Sequence, residues 1–379
     1  MRIGLVTHNY PSGLHDRQNA GIFVHDLAQA LKKGGHEVFV LCPDNGRQKQ
    51  PDKVPVTWFS WKGQSKKLGD LSLKNPSDWV YFFDLFRQGI KNMTPFIKDN
   101  KIDFCVAMWA FPAGVFCYFA KRKLKVPYLT WCLGSDIYVY AKLPILKQLI
   151  VKILKSSSAV FADGIDLAQT TQNLFSGVCQ FVPSATKLPN MPDHQAEFRH
   201  PSALHLMFLG RMEPVKGPDV LIDAACLIKD LDFELHLMGE GALLGALEQQ
   251  VTTFGLADKV IFHGNVADPA KIEAYLSSAD WLIIPSRSDS IPLAFSEAAK
   301  NGTPLLVAAV GDMAQLVRQY QVGLTFGKGD VKQLAKLLRD IIKNRGKRAI
   351  YAANTPKVSL LFNIDTSAKK LAEEAEKWL

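Results

Sequence analysis

The amino-acid sequence predicts an α/β protein made of two doubly wound domains in tandem. Three observations lead there. Short apolar runs of strand length alternate with helical periods along almost the whole chain, a pattern that implies parallel sheets covered on both faces. The alternation breaks once, at residues 183–202 (PSATKLPNMPDHQAEFRHPS), which hold four prolines and little periodicity, and then restarts. The 379 residues suit two or three domains at about 150 residues each. The expected division is 1–190, 191–365 and a closing helix over 366–379.

The elements follow in order. Ile3–Thr7 reads as a buried strand and leads into a polar loop. A helix starts at Gly21, with Phe23, Leu27, Ala30 and Leu31 on one face, and ends at Gly34 and Gly35. Val38–Cys42, Phe104–Met108, Tyr128–Cys132 and Ala159–Ala162 read as the next strands. Beyond the break come Leu204–Leu209, Glu234–Met238, Val260–His263, Leu282–Pro285 and Pro304–Val307, with helical patterns between them. The end, TSAKKLAEEAEKWL, has the composition and period of a helix. No internal repeat or low-complexity tract interrupts this order.

Composition narrows the class. Hydrophobic residues at 47% and charged residues at 21% are ordinary for a globular chain. No apolar run approaches the roughly 18 residues of a membrane span. The N-terminus lacks the apolar centre and small-residue cleavage site of a secretory signal, so a cytoplasmic protein is expected. The six cysteines include no C-x-x-C pair and read as buried reduced thiols rather than disulfides or metal ligands.

The charge of +9 is unevenly spread: residues 1–200 carry 25 basic against 15 acidic side chains, and residues 201–379 carry 20 against 21. A basic half suits nucleic acid, an anionic membrane surface or an anionic substrate. No aromatic-interleaved basic motif or finger accompanies it, so nucleic acid is not expected. The basic clusters are 62–67, 121–125 and 142–155. In the last, Lys147, Lys152 and Lys155 share one side of a helix opposite Leu146, Leu149, Ile150 and Ile153. That segment reads either as a helix lying on anionic lipid or as a surface helix with its apolar side in the core.

Ligands of doubly wound domains bind where strands end and helices begin, and three loops sit at such places. Gly210–Gly217 (GRMEPVKG) follows a strand, with Pro218 suited to the first position of a helix. Its Arg211 and Lys216 can hold a diphosphate and stabilise it as a leaving group. The second loop, Pro285–Glu297 (PSRSDSIPLAFSE), places Asp289 and Glu297 eight positions apart. Backbone N–H groups near Ser290, Ile291, Pro292 and Leu293 face an anion there, and the carboxylates can accept sugar hydroxyls. The third loop, Pro11–Gly21, ends in a glycine that lets a phosphate approach the backbone. Neither G-x-G-x-x-G nor G-x-x-x-x-G-K-[ST] occurs, which lowers the dinucleotide-dehydrogenase and P-loop readings.

These loops, in this order, resemble the family-4 retaining glycosyltransferases of the GT-B architecture, two doubly wound Rossmann-like domains with a C-terminal helix crossing back to the first. The resemblance spans nearly the whole chain. Gly210-Arg211 with Lys216-Gly217 is similar to the family's diphosphate clamp. The stretch ADWLIIPSRSDSIPLAFSEAAKNGTPLLVAAVGD is similar to its signature of two acids with seven residues between them.

The resemblance implies a nucleotide-sugar donor, with Glu297 on the ribose, Asp289 on the donor sugar, Ser290–Leu293 supplying backbone donors and Gly21 against the donor phosphate. It implies a sugar transferred with retention to a hydroxyl, on a glycan or lipid-linked acceptor of the cell envelope. Arg211, Lys216 and Asp289 would carry the chemistry, and no metal or other cofactor is expected. The N-terminal domain would shape the acceptor site through Trp109, Ser135 and Asp136. Two departures stand out: the first acid is usually Glu and is Asp289 here, and Leu133 occupies a place where the family often has histidine. No histidine stands beside Trp109 in AMWAFPAG either; His8, His15 and His25 are expected to be structural. A nucleotide-sugar epimerase and a non-catalytic nucleotide-sugar-binding subunit are the rival readings. The basic half adds the expectation of peripheral attachment to the inner face of a membrane.

Overall fold

The computed structural model describes residues 1–13, 21–49, 52–66, 71, 75–187 and 196–379. His15, Lys67 and residues 188–195 of the expected linker lie outside these. The chain divides into two compact units, one of Met1–Ser184 with Ile364–Leu379, the other of Ala185–Asn363.

The first unit is a parallel sheet of seven strands: β1 (Arg2–Val6), β2 (Glu37–Pro43), β3 (Val56–Phe59), β4 (Phe104–Met108), β5 (Tyr128–Cys132), β6 (Val160–Ala162) and β7 (Gln180–Phe181). Their spatial order is β3-β2-β1-β4-β5-β6-β7. The middle strands β4 and β5 are buried at every residue, which is why they read as unbroken apolar runs: helices cover both faces of the sheet. The second unit has six strands, β8 (Leu204–Leu209), β9 (Phe233–Met238), β10 (Val260–Gly264), β11 (Trp281–Ile284), β12 (Leu305–Ala308) and β13 (Gly323–Phe326). Their order is β10-β9-β8-β11-β12-β13, again all parallel. In each sheet the order reverses once, between β1 and β4 and between β8 and β11.

The closing helix, Ile364–Glu376, belongs to the first unit and packs on the helix Ile22–Lys33. It buries Ile364, Ala368, Leu371, Ala372 and Ala375. Lys33 pairs with Asp365 at 2.9 Å, and Ser367 donates to the Pro183 carbonyl at 3.0 Å.

The helix Pro144–Ser156 resolves the two readings of the basic segment. Ile150, Ile153 and Leu154 are buried in the core of the unit, while Lys147, Lys152 and Lys155 are exposed. Its apolar side is therefore occupied by its own protein, which corrects the reading of a helix lying with that side in lipid. No helix among the described residues is long and apolar enough to cross a membrane. All six cysteines are free thiols, five of them buried and Cys226 half-buried.

Candidate functional site

Strands β8 and β11 are neighbours at the reversal point of the second sheet, so the loops that leave their carboxyl ends must lie side by side. After β8, Pro214–Lys216 forms one tight turn and Gly217 takes φ +67°. A Cβ on Gly217 would sit 2.3 Å from the Pro285 carbonyl oxygen, so both the dihedral and the second loop's backbone demand glycine. Pro218 then opens the helix Pro218–Cys226.

The second loop is stapled to the first by Arg287. Its backbone N–H donates to the Val215 carbonyl at 2.8 Å, and its guanidinium donates to the Pro214 carbonyl at 2.7 Å. The same guanidinium forks onto both oxygens of Asp219 at 2.8 and 2.6 Å. Hydrogen bonds from Arg287 hold the Asp219 carboxyl below the usual carboxylate range. This pair carries the relative placement of the two loops.

The staple brings Lys216 onto Asp289, 73 positions away, with Nζ donating to both carboxylate oxygens at 2.8 and 2.9 Å. Both side chains are about one-fifth exposed, at 19% and 18%. Arg211 forks onto Glu213 at 2.8 Å to each oxygen. Each cation expected to meet a diphosphate is thus balanced by a carboxylate. Beyond Asp289 the helix Leu293–Lys300 begins at Pro292 with no side-chain cap, so its first-turn N–H groups keep their partial positive charge for an anion. Ser290 Oγ, beside that end, is buried with no hydrogen-bond partner, and Ile291 is buried at 7% exposure.

Glu297 lies one turn into the helix. Its Oε1 accepts from Thr186 Oγ1 at 2.7 Å, and Lys300 Nζ donates to the Thr186 carbonyl at 2.7 Å. Lys216, Asp289 and the helix end therefore form one constellation, while Arg211 and Glu297 each hold a neighbour of their own. Sequence reasoning missed Arg287, Asp219, Glu213 and Thr186. Arg287 stands inside the quoted signature, but its partner is 68 positions away and no spacing rule connects them.

In the first unit, Gly21 caps the helix Ile22–Lys33. A Cβ there would come within 2.7 Å of the Asn9 carbonyl oxygen, so the missing side chain makes room for the chain's own backbone. Trp109 follows β4 at φ +73° and is 6% exposed, with its ring 4.4 Å from His8. Asp136 is wholly buried. Its carboxylate accepts from Ala110 N at 2.7 Å, Leu133 N at 3.3 Å and Ile137 N at 3.2 Å. Burial pushes its carboxyl up to about 6. Asp136 thus ties the loop after β4 to the loop after β5 and has no face for an acceptor, a correction to its expected contact role. Ser135, next to it, is exposed.

His8 is pushed down to about 4 by burial. His25 is partly desolvated, but hydrogen bonds to Asp26 and Asp52, at 3.3 and 3.5 Å, outweigh that and raise it to about 9. Asp230 and Asp232, the D-x-D that precedes β9, are held in ion pairs: Asp230 takes a forked pair from Arg339 at 2.8 and 2.9 Å, and Asp232 lies 3.9 Å from Arg345.

Two doubly wound sheets, with two strand-end loops stapled together at the reversal point of the second, define the class. The chain has the two-domain fold of the GT-B glycosyltransferases, and a glycosyltransferase family model matches each half of it. Residues 20–169 match the glycosyl transferase 4-like domain, and residues 193–358 match the glycosyl transferases group 1 family. An uncharacterized glycosyltransferase of Methanocaldococcus jannaschii is 25% identical over 287 residues, 75% of this chain and 76% of its own. The D-inositol 3-phosphate glycosyltransferase of Thermomonospora curvata is 31% identical over 179 residues, 44% of this chain but only 41% of that relative. Sucrose-phosphate synthase from Thermosynechococcus elongatus superposes on 100% of this chain and 99% of its own, with TM-score 0.78 at 17% identity. Anabaena HepE, in a complex with UDP and glucose, covers 100% of both chains with TM-score 0.74 at 18% identity. At such identities these structures speak for the fold.

Proposed function

We propose that this glycosyltransferase moves a hexose from a nucleoside-diphosphate donor to a hydroxyl group, with retention at the anomeric carbon. The carrying observation is the ion pair of Lys216 with Asp289 beside the uncapped helix end at Leu293 in the second unit. A diphosphate arriving there exchanges Lys216 from Asp289 to phosphate oxygen and leaves Asp289 to accept from a sugar hydroxyl. Arg211 exchanges from Glu213 in the same way. As the bond between anomeric carbon and phosphate oxygen ionises, Lys216, Arg211 and the helix N–H groups take up the developing negative charge. The departing phosphate then accepts the proton of the incoming hydroxyl on the same face of the sugar, so no carboxylate base is required. Glu297 accepts from the ribose.

The chemistry asks for no divalent metal, since cationic side chains supply its charge and Asp230 and Asp232 are engaged in ion pairs of their own. The complexes of Anabaena HepE with UDP and UDP-glucose favour a uridine donor. The acceptor belongs to a cell-envelope glycan or a glycolipid, and the basic first half brings the protein to the membrane that carries it.

A thermal-shift screen of UDP, GDP and ADP with their sugars, run in EDTA and in Mg²⁺, tests the reading. One nucleotide series at about 100 times its dissociation constant stabilises the fold by about 2.7 kcal/mol in both buffers. No shift with any nucleotide, or one that needs Mg²⁺, would sink it.

A further inference from the structure

At the opposite end of β8 and β9 from the donor loops, three chemistry-bearing side chains meet. The parallel register sets His205 on β8 beside Glu234 on β9, and the two-residue period of a strand puts His236 on the same face as Glu234. One ligand atom from each of the three lies within 4.8 Å of the others, the one such grouping among the described residues. All three are buried, Glu234 completely. His236 Nε2 comes to 2.9 Å from Glu234 Oε1, while the buried His205 Nδ1 has no hydrogen-bond partner. A buried imidazole nitrogen of His205 without a partner, beside a fully buried carboxylate that already faces His236, is a costly arrangement.

We propose that His205, Glu234 and His236 form a binding site for a divalent transition metal, with Zn²⁺ the ion that two imidazoles and one carboxylate favour. Tetrahedral coordination at about 2.0–2.1 Å puts ligand atoms about 3.3 Å apart, a spacing that small side-chain rotations reach from the present one. The surroundings are those a ligated metal requires. His263 Nε2 lies 3.0 Å from His236 Nδ1, which turns the other nitrogen of His236 toward Glu234. The Glu234 oxygens accept from Arg199 N at 3.0 Å and His200 N at 2.9 Å. Such outer hydrogen bonds orient ligands and set their tautomer. Phe198 stacks on His205 at 3.6 Å, and Tyr275 packs on both His236 and His263, walling the site with rings. His205 stands five residues before the loop at Gly210, about 16 Å at strand rise, and His236, level with Met207, three residues before it, about 10 Å. The ion is therefore structural: it joins β8, β9 and the 198–200 segment and takes no part in donor binding.

Full-length protein stripped with a strong chelator is titrated with Co²⁺ alone, then with Zn²⁺. The expected result is one equivalent of Co²⁺ with visible bands of low-symmetry coordination, displaced by one equivalent of Zn²⁺, and a higher unfolding midpoint with Zn²⁺. His205→Gln and His236→Gln, folded by circular dichroism, lower Zn²⁺ affinity at least tenfold, and His263→Gln lowers it about tenfold. If the glutamine variants fail to fold, the titration of the parent chain still decides. No Co²⁺ bands and no Zn²⁺ shift in the stripped parent would overturn the proposal, as would unchanged affinity in folded His205→Gln.

Discussion

Lys216 and Asp289 neutralise each other, and that pairing sets what each contributes. Both are about four-fifths buried, so removing one partner strands a charge, whereas the proposed donor would replace the partner with phosphate or hydroxyl. Lys216→Ala and Arg211→Ala should each cut turnover by about 10²-fold, the loss seen when one preorganised donor to a developing anion is removed. Glu297→Ala should instead weaken nucleotide binding. Steady-state kinetics with nucleotide titration separate the two effects, and parent-like rates in all three variants would refute the assignment. A second residue-scale consequence concerns His25, raised to about 9 by Asp26 and Asp52 against the cost of burial. Its folded value lies above the unfolded one near 6.5. The stabilisation is therefore complete below about pH 6.5 and is lost as pH rises through about 9, on the order of 3 kcal/mol at most. Unfolding midpoints from pH 6 to 10 should fall more steeply for the parent than for His25→Gln; parallel profiles would show that the pairs contribute nothing.

At the scale of elements, the closing helix is held by an apolar stripe and few polar ties. Leu371 is 1% exposed against the helix Ile22–Lys33, so Leu371→Ala should destabilise the protein by about 2–4 kcal/mol, read as a lower denaturant midpoint. A loss below about 0.5 kcal/mol would mean the helix is not part of the cooperative fold. This helix and the central strands were legible because burial imposes a period on them: Phe104–Met108, Tyr128–Cys132 and Leu204–Leu209 fall where the apolar runs put them. The strands that escaped notice, β3, β7 and β13, are all sheet edges. They are short and half-buried, and β7 has only two residues, so no period of two could emerge. The site divides the same way. Lys216, Asp289 and the helix start at Leu293 lie next to strand ends and could be found from local pattern. The Arg287–Asp219 staple, the burial of Asp136 and the His205–Glu234–His236 grouping are products of strand register, which pairs residues dozens of positions apart.

For the molecule as a whole, the distribution of charge remains to be accounted for. The proposed donor loops lie in residues 201–379, which are near neutral, while the excess of ten positive charges is in residues 1–200. A nucleotide bound by the second unit cannot be its reason. The helix Pro144–Ser156 does not lend its apolar side to a membrane, but its lysines are exposed, as are Lys62, Lys66, Lys123 and Lys125. Near Lys62 and Lys66 the helix Trp79–Asp99 begins with Trp79, Val80 and Phe83 exposed at 59%, 47% and 73%, and Lys66 lies over the Tyr81 ring. Cations beside exposed aromatic side chains suit an anionic bilayer surface, where each cation near the surface adds about 1 kcal/mol and the aromatic rings sit at headgroup level. Five or six such cations suffice for reversible attachment without a spanning helix. The protein should therefore sediment with anionic liposomes and not with neutral ones, and about 0.5 M salt should release it by screening. Exchanging Lys147, Lys152 and Lys155 for Glu should weaken binding, and Trp79→Ser with Phe83→Ser should weaken it further at low salt. Equal recovery with both liposome types, or none with either, would assign the basic half to a dissolved anionic acceptor or to solubility alone.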